Sequence, residues 1–202
     1  MWVKICGMTT AAAVAAALEA RVDAIGFVFA RSVRELTPAA AAALARAARG
    51  RVRCVAVTHH PTQAAVDEIV GVFVPDLMQS DAEDFATLRL PSALETLAVV
   101  RAGGAPPVPL PARILFEGPA SGRGAVSDWS AARTLARRTQ LVLAGGLNAA
   151  NVSAAIAQVQ PYGVDVSSGV EERPGVKSPA AIMSFVEAVR AACAAPLTAG
   201  GA

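Results

Sequence analysis

Five side chains able to move a proton or hold a charged substrate stand within, or just after, short apolar runs of this sequence. Cys6 closes Trp2-Val3-Lys4-Ile5, Gln79 follows Leu77-Met78, and Glu117 closes Ile114-Leu115-Phe116. Asp165 interrupts Val164 and Val166, and Arg34 follows the run 24–29 at a short distance. A thiol whose pKa is lowered is a nucleophile or a base, whereas a free cysteine is by default a small buried hydrophobe. Position alone leaves Cys6 open between the two, while Cys54, inside an apolar run, and Cys193, in a late helical stretch, take the default. Glu117 opens the glycine-rich segment Gly118-Pro119-Ala120-Ser121-Gly122-Arg123-Gly124. A carboxyl beneath a loop that excludes water suits a general acid, and its plain alternative is an exposed loop glutamate. An unpaired buried carboxylate is costly, so Asp165 is expected to be solvated or paired, with a structural role as its alternative. Arg34 either clamps a substrate carboxylate or lies on a solvated loop.

Two segments of small residues complete the set. Gly145-Gly146 and Ser168-Gly169 each follow an apolar run. A lone Gly-Gly is a common turn. Two such loops after consecutive strands are more specific, because their backbone N–H groups can close on a phosphate. His59-His60 reads as a surface feature of a loop, because two histidines lack an evident third ligand for a metal.

The elements that must position these residues are legible as an alternation. β-Branched apolar runs at 2–6, 24–29, 53–57, 76–79, 97–101, 113–117, 140–144 and 163–167 make eight strands. Several are apolar almost throughout, as strands buried on both faces are. Between them lie alanine-rich helical stretches. Thr9 or Thr10 caps the first, and Thr37-Pro38 opens the second with an N-cap and a proline at the first helical position. Segments 62–70, 84–90, 128–135, 148–158 and 178–192 supply the rest, Asp128 serving as a cap beside Trp129. The fifth crossover, 102–112, carries too much Gly and Pro for a helix. The fold class is therefore α/β, a single-domain (β/α)8 barrel with the fifth helix lost or irregular. Residues 1–195 form one domain, and 196–202 read as a frayed tail. In such a barrel the residues just after each strand share one functional face.

Composition narrows the function classes. Of the 202 residues 54% are hydrophobic but only 4% aromatic, so Val, Leu, Ile and Ala must build the core. A net charge of +2 with scattered arginines gives no footprint for nucleic acid. No apolar run approaches the roughly 18 residues of a membrane span. Lys4 followed by 11–18 could imitate a signal peptide, yet a strand and a Thr-capped helix explain it better. Three widely spaced cysteines fit reduced thiols in a cytoplasmic protein better than a disulfide framework.

Several segments resemble those of the phosphoribosylanthranilate isomerase family. They are Val3-Lys4-Ile5-Cys6-Gly7-Met8-Thr9, Ala24-Ile25-Gly26-Phe27-Val28-Phe29, Leu143-Ala144-Gly145-Gly146-Leu147-Asn148 and Val164-Asp165-Val166-Ser167-Ser168-Gly169-Val170-Glu171, continued by Pro174-Gly175-Val176-Lys177. The resemblance implies a one-domain barrel enzyme of tryptophan biosynthesis, with no metal and no organic cofactor. It implies a small phosphorylated substrate, no nucleic-acid or membrane partner, and a monomer or homodimer. The implied reaction is an Amadori rearrangement of a phosphoribosyl aminoaldose to an aminoketose. The same resemblance implies Cys6 as general base, Arg34 at the anthranilate end, and Gln79 and Asp165 in the substrate site. It also implies Gly145, Gly146, Ser168 and Gly169 as the phosphate cradle.

The chain departs from the family pattern in three places, one being the eroded fifth helix noted above. Glu117 stands where the family carries an aspartate as acid, and a longer carboxylate serves if the backbone retreats by about one methylene. Gln79-Ser80-Asp81-Ala82 replaces the usual Gln-Leu-His-Gly, so only Gln79 carries over. These departures keep two alternatives open: a degenerate barrel that binds a phosphosugar without turnover, and another phosphosugar isomerase of the same fold.

Overall fold

Side-chain alternation along the strands sorts this molecule into an inside and an outside. In the computed structural model, which describes residues 1–118 and 127–194, eight strands pair in parallel and close on themselves in chain order. They are β1 (Trp2–Cys6), β2 (Ala24–Val28), β3 (Arg53–Val57), β4 (Leu77–Asp81), β5 (Glu95–Arg101), β6 (Arg113–Glu117), β7 (Gln140–Leu143) and β8 (Gly163–Val166). Ala24, Val55, Leu77, Leu97, Val99, Leu115, Val142 and Ala144 form a buried cluster of their own, with Trp2 and Val57 against it. Val3, Ile5, Ile25, Phe27, Cys54, Ala56, Ile114, Phe116, Val164 and Val166 belong to a second, larger cluster shared with the helices. Successive residues of a strand face opposite ways. The small cluster is therefore the barrel interior and the large one the layer between barrel and helices.

The helical shell explains the alanine content. Helices α1 (Ala11–Glu19), α2 (Pro38–Ala45), α3 (Gln63–Glu68), α4 (Trp129–Ala136), α5 (Val152–Val159) and α6 (Pro179–Ala194) bury small side chains such as Ala13, Ala17, Ala41 and Ala45, which let a helix lie close on the strands. The hydroxyls of Thr10, Thr37 and Thr62 each accept an amide of the first turn, and Asp128 accepts those of Ser130 and Ala131, as N-caps do. Of the two candidates for the first cap, Thr10 holds the position.

The fourth and fifth crossovers are irregular. Residues 102–112 form no helix, as their Gly and Pro content requires. The helix expected over 84–90 is instead a single 3₁₀ turn, Asp84–Ala86. Its continuation is preempted, because the Gln63 side chain donates to the Arg89 carbonyl at 3.0 Å and accepts the Arg89 amide at 2.8 Å. With that backbone already satisfied and Pro91 following, a helix gains nothing there. A short hairpin of β9 (Glu171–Arg173) and β10 (Val176–Lys177), which the sequence did not announce, follows β8. The glycine-rich segment after Gly118, including Arg123, and the expected tail 196–202 lie outside the described residues.

Candidate active site

On several strands the inner face is apolar near the N-terminal end and becomes polar toward the C-terminal end. Counting in twos from Trp2, Leu77, Val99 and Leu115 places Lys4 and Cys6, Gln79 and Asp81, Arg101, and Glu117 on that face. Asp165, between the outward-facing Val164 and Val166, joins them from β8. Five of the eight strands thus bring together residues from positions 4 to 165.

On one wall the central charge is Lys4, which is completely buried and donates to Asp165 Oδ1 at 2.8 Å. The two residues are direct partners in the β1–β8 register. Burial lowers the Lys4 pKa, but Asp165 and Cys6 outweigh it and hold the ammonium above its ordinary value. Cys6 is buried, and burial pushes its thiol up, opposed by the ammonium of Lys4. Gly26, its partner on β2, leaves the space this arrangement needs. A Cβ there would come within 3.0 Å of Cys6 Sγ and 3.3 Å of Lys4 Cε.

Arg34 does not stand alone at this wall. Its Nε and Nη2 donate to the two oxygens of Glu171 at 2.7 and 2.8 Å, and Lys177 donates to Glu171 Oε1 at 2.6 Å. Burial raises the Glu171 pKa, but the bonds from Arg34 and Lys177 overcome it and bring the carboxyl down to about 2. Lys177 also donates to the Ser167 carbonyl, and the Ser167 hydroxyl donates to the Cys6 carbonyl at 3.1 Å. The β9–β10 hairpin thereby ties Arg34 to the strand end that carries Cys6.

The opposite wall is centred on Arg101. Its Nη1 donates to Asp81 Oδ1, and its Nη2 lies 3.2 Å from Glu117 Oε1. Arg101 and Glu117 are partners in the β5–β6 register, so the contact follows from pairing on a shared face. Gln79 is buried and its Oε1 has no hydrogen-bond partner among the described residues. A buried acceptor left in that state is normally completed by water or ligand. Asp128, the one acidic residue of the following loop that is described, caps α4 and takes no part in this wall.

The loops after β7 and β8 press against each other. Gly145 and Gly146 have φ of 89° and 65°, a conformation open to glycine. A Cβ on Gly169 would lie 1.9 Å from the Leu147 carbonyl oxygen, so nothing larger fits between the loops. Asn151 donates to the Gly146 carbonyl at 2.9 Å and fixes that peptide. Among the described residues, the amides of Gly145, Gly146, Ser168 and Gly169 donate to no other backbone group outside the regular elements. Two surface cavities of about 350 and 300 Å³ lie elsewhere, lined by residues such as Asp23 and Val189 or Val14 and Leu44, and include none of these side chains.

Lys4, Glu171, Lys177, Asp81 and Arg101 are the site residues that the sequence reading passed over. Lys4 was recoverable, since it stands two residues before Cys6 on the same face, and Asp81 likewise stands two after Gln79. Arg101 and Lys177 carried no signal of their own beyond their places in a strand and in the last motif.

The residues 3–188 match the model of the N-(5'-phosphoribosyl)anthranilate isomerase family. An N-(5'-phosphoribosyl)anthranilate isomerase of Mesorhizobium japonicum is 39% identical over 209 residues, covering 94% of this chain and 95% of that protein. The crystal structure of phosphoribosyl anthranilate isomerase from Thermus thermophilus superposes with a TM-score of 0.83 at 27% identity, over 95% of this chain and 99% of that one. A structure of such an isomerase in complex with reduced 1-(o-carboxyphenylamino)-1-deoxyribulose 5-phosphate gives 0.79 at 27% identity, with the same coverage.

Proposed function

The chain belongs to the phosphoribosylanthranilate isomerase family, and from that membership we propose how its own residues divide the work of the reaction. It is an aldose–ketose isomerase of tryptophan biosynthesis built on a (β/α)8 barrel. It converts N-(5-phosphoribosyl)anthranilate to 1-(2-carboxyphenylamino)-1-deoxyribulose 5-phosphate.

In the proposed mechanism Glu117 gives a proton to the ribose ring oxygen. The bond from that oxygen to C1 of the sugar breaks, and the anthranilate nitrogen supplies the electron pair that makes an iminium. The positive charge acidifies the C–H at the neighbouring carbon, and the Cys6 thiolate removes that proton. The resulting enolamine tautomerises to the ketone, with a proton added at C1 and lost from the hydroxyl at C2. The observation that carries this reading is the paired placement of Cys6 beside the buried Lys4 charge and of Glu117 across the same barrel mouth. Burial leaves the thiol above its ordinary value, and Lys4 opposes that rise by favouring the thiolate that a base must be. The acid role requires Glu117 to leave Arg101, which retains Asp81 as a partner.

The same reading places the substrate phosphate on the backbone amides of Gly145, Gly146, Ser168 and Gly169, the position barrels favour for it. Arg34, oriented by Glu171, meets the anthranilate carboxylate. Gln79 Oε1 accepts a sugar hydroxyl, as does the oxygen of Asp165 that Lys4 leaves. The proposed chemistry is acid–base throughout and calls on neither a metal nor an organic cofactor. A cytoplasmic monomer or homodimer folding over 1–195, with three reduced cysteines, completes the proposal. No helix of the described residues is long and apolar enough to cross a membrane.

The Arg101–Glu117 contact is the one observation that favours the second reading, a barrel that binds the phosphosugar without turnover. The deciding experiment follows the fluorescence of phosphoribosylanthranilate on adding purified protein. Loss of signal at a rate proportional to enzyme supports the isomerase mechanism; saturable binding with no loss supports the binder.

A further inference from the structure

We propose that His59, His60 and Asp81 form a binding site for a divalent transition-metal ion, of which zinc is the best-suited example. Among the described residues, these three are the His, Cys and carboxylate side chains gathered closely enough to hold a metal, their ligand atoms all lying within 4.8 Å of one another. The two histidines follow β3 and Asp81 ends the neighbouring β4.

Asp81 Oδ2 is the atom at the centre of this group. It is buried in a residue only 3% exposed and has no hydrogen-bond partner among the described residues, although Oδ1 of the same carboxylate receives Arg101. Facing that oxygen are His59 Nε2 at 3.5 Å and His60 Nε2 at 3.7 Å. The tautomer of His60 follows from its other nitrogen, which lies 2.8 Å from Asp84 Oδ1, a contact that a carboxylate makes with N–H. In the neutral ring the lone pair is then on Nε2, aimed at Asp81. Asp81 Oδ2 and the His60 lone pair thus face one space as acceptors, and the His59 ring, whose tautomer nothing fixes, can turn a second lone pair into it; a cation satisfies all three.

The geometry suits a small borderline ion. Bonds of about 2.0–2.1 Å in a tetrahedron put ligand atoms roughly 3.3–3.4 Å apart. The two distances to Asp81 exceed that by only a few tenths of an ångström. Two imidazoles and one carboxylate favour zinc and its neighbours over magnesium or calcium, which take oxygen ligands. The surroundings resemble those of known sites, where a ligating histidine gives its second N–H to a carboxylate. Asp84 does this for His60, accepts the His60 backbone amide at 3.1 Å, and is itself held by the Ser80 hydroxyl. His60 is fixed at φ 46°, outside the comfortable range of a non-glycine residue. Both imidazoles are half exposed, so an ion can enter, and the exposed Glu83 carboxylate 3.8 Å from His60 Nε2 can complete the shell.

The test titrates zinc into chelator-stripped protein against a chromophoric competitor, with cobalt absorption reporting coordination geometry. The expected result is one zinc per chain. His59→Ala and His60→Ala each weaken binding at least tenfold, and Asp84→Asn weakens it by about tenfold. Cys193→Ser, removing the exposed thiol that could bind zinc by itself, binds like the parent. Circular dichroism confirms that the loop variants remain folded. Two results overturn the proposal: no stoichiometric zinc on the parent, or binding that survives in His59→Ala and disappears in Cys193→Ser.

Discussion

Lys4 and Arg101 occupy comparable places on two walls of one barrel, each a cation on the inner face between a carboxylate and a proposed catalytic group. Lys4 joins Asp165 to Cys6, and Arg101 joins Asp81 to Glu117. They differ in burial. The side chain of Lys4 is sealed from solvent, whereas that of Arg101 is 27% exposed. A sealed cation cannot leave without stranding its partner, so the first wall holds a fixed charge beside the base. A partly solvated guanidinium exchanges partners at little cost, which is what the second wall needs if Glu117 is to take and give a proton.

The largest effect expected of the comparison is at the fixed wall. Cys6→Ala should lower kcat by about 10²–10⁴-fold while product-analogue binding changes little, the pattern of a group used only in the transition state. Cys54→Ala, on the outward face of β3 in the layer under the helices, should leave turnover nearly intact. Equal losses in the two variants would mean packing damage and not catalysis.

Removing the fixed charge should cost stability first. Lys4→Met leaves Asp165 buried without its partner, which costs about 3–5 kcal/mol, measurable by urea denaturation. A variant as stable as the parent would show that the bridge does not hold this wall. Arg101→Met also takes a partner from a buried carboxylate, Asp81, but solvent reaches the guanidinium, so it should cost less than Lys4→Met by the same measurement.

Gly146→Val tests the phosphate loops. It should raise KM by roughly tenfold and weaken competition by inorganic phosphate, with the melting temperature checking that the fold survives the strain at φ 65°. An unchanged phosphate inhibition constant would move the phosphate elsewhere.

A pH-dependent effect concerns Glu171, whose pKa in the fold is about 2. A carboxyl held below its unfolded value stabilises the fold above the ordinary carboxylate range, and that contribution disappears as pH falls through the folded value. Glu171→Gln should therefore be less stable than the parent by about 1–2 kcal/mol at pH 7, after discounting for solvent screening. The gap should hold down to about pH 5 and close between there and pH 2. A gap independent of pH over that interval would assign the loss to packing.

The two walls also differ in how legible they were. The first is written in contiguous segments: Cys6-Gly7, Gly145-Gly146 and Ser168-Gly169 announce themselves by residue type and place, and the strands that carry them have periods and caps readable without a structure. The second wall depends on register. Asp81, Arg101 and Glu117 meet because β4, β5 and β6 pair in a particular stagger, and no single segment records it. His59-His60 looked like surface because its third partner stands 21 or more residues away, at the end of another strand. The lost fourth helix was invisible for a similar reason, since the Gln63 side chain that replaces its hydrogen bonds comes from α3. Local pattern gave the elements; pairing between elements decided which charges meet.

The proposed division of base and acid work between Cys6 and Glu117 across the barrel mouth is decided by the turnover of two Glu117 variants. Steady-state consumption of phosphoribosylanthranilate should fall by about 10²–10⁴-fold in Glu117→Gln, which keeps shape and hydrogen bonding but has no proton to give. Glu117→Asp should retain a measurable fraction, and Asp128→Asn, altering only the cap of α4, should turn over like the parent. Near-parental turnover in Glu117→Gln together with loss in Asp128→Asn would contradict the account and place the acid on the other carboxylate.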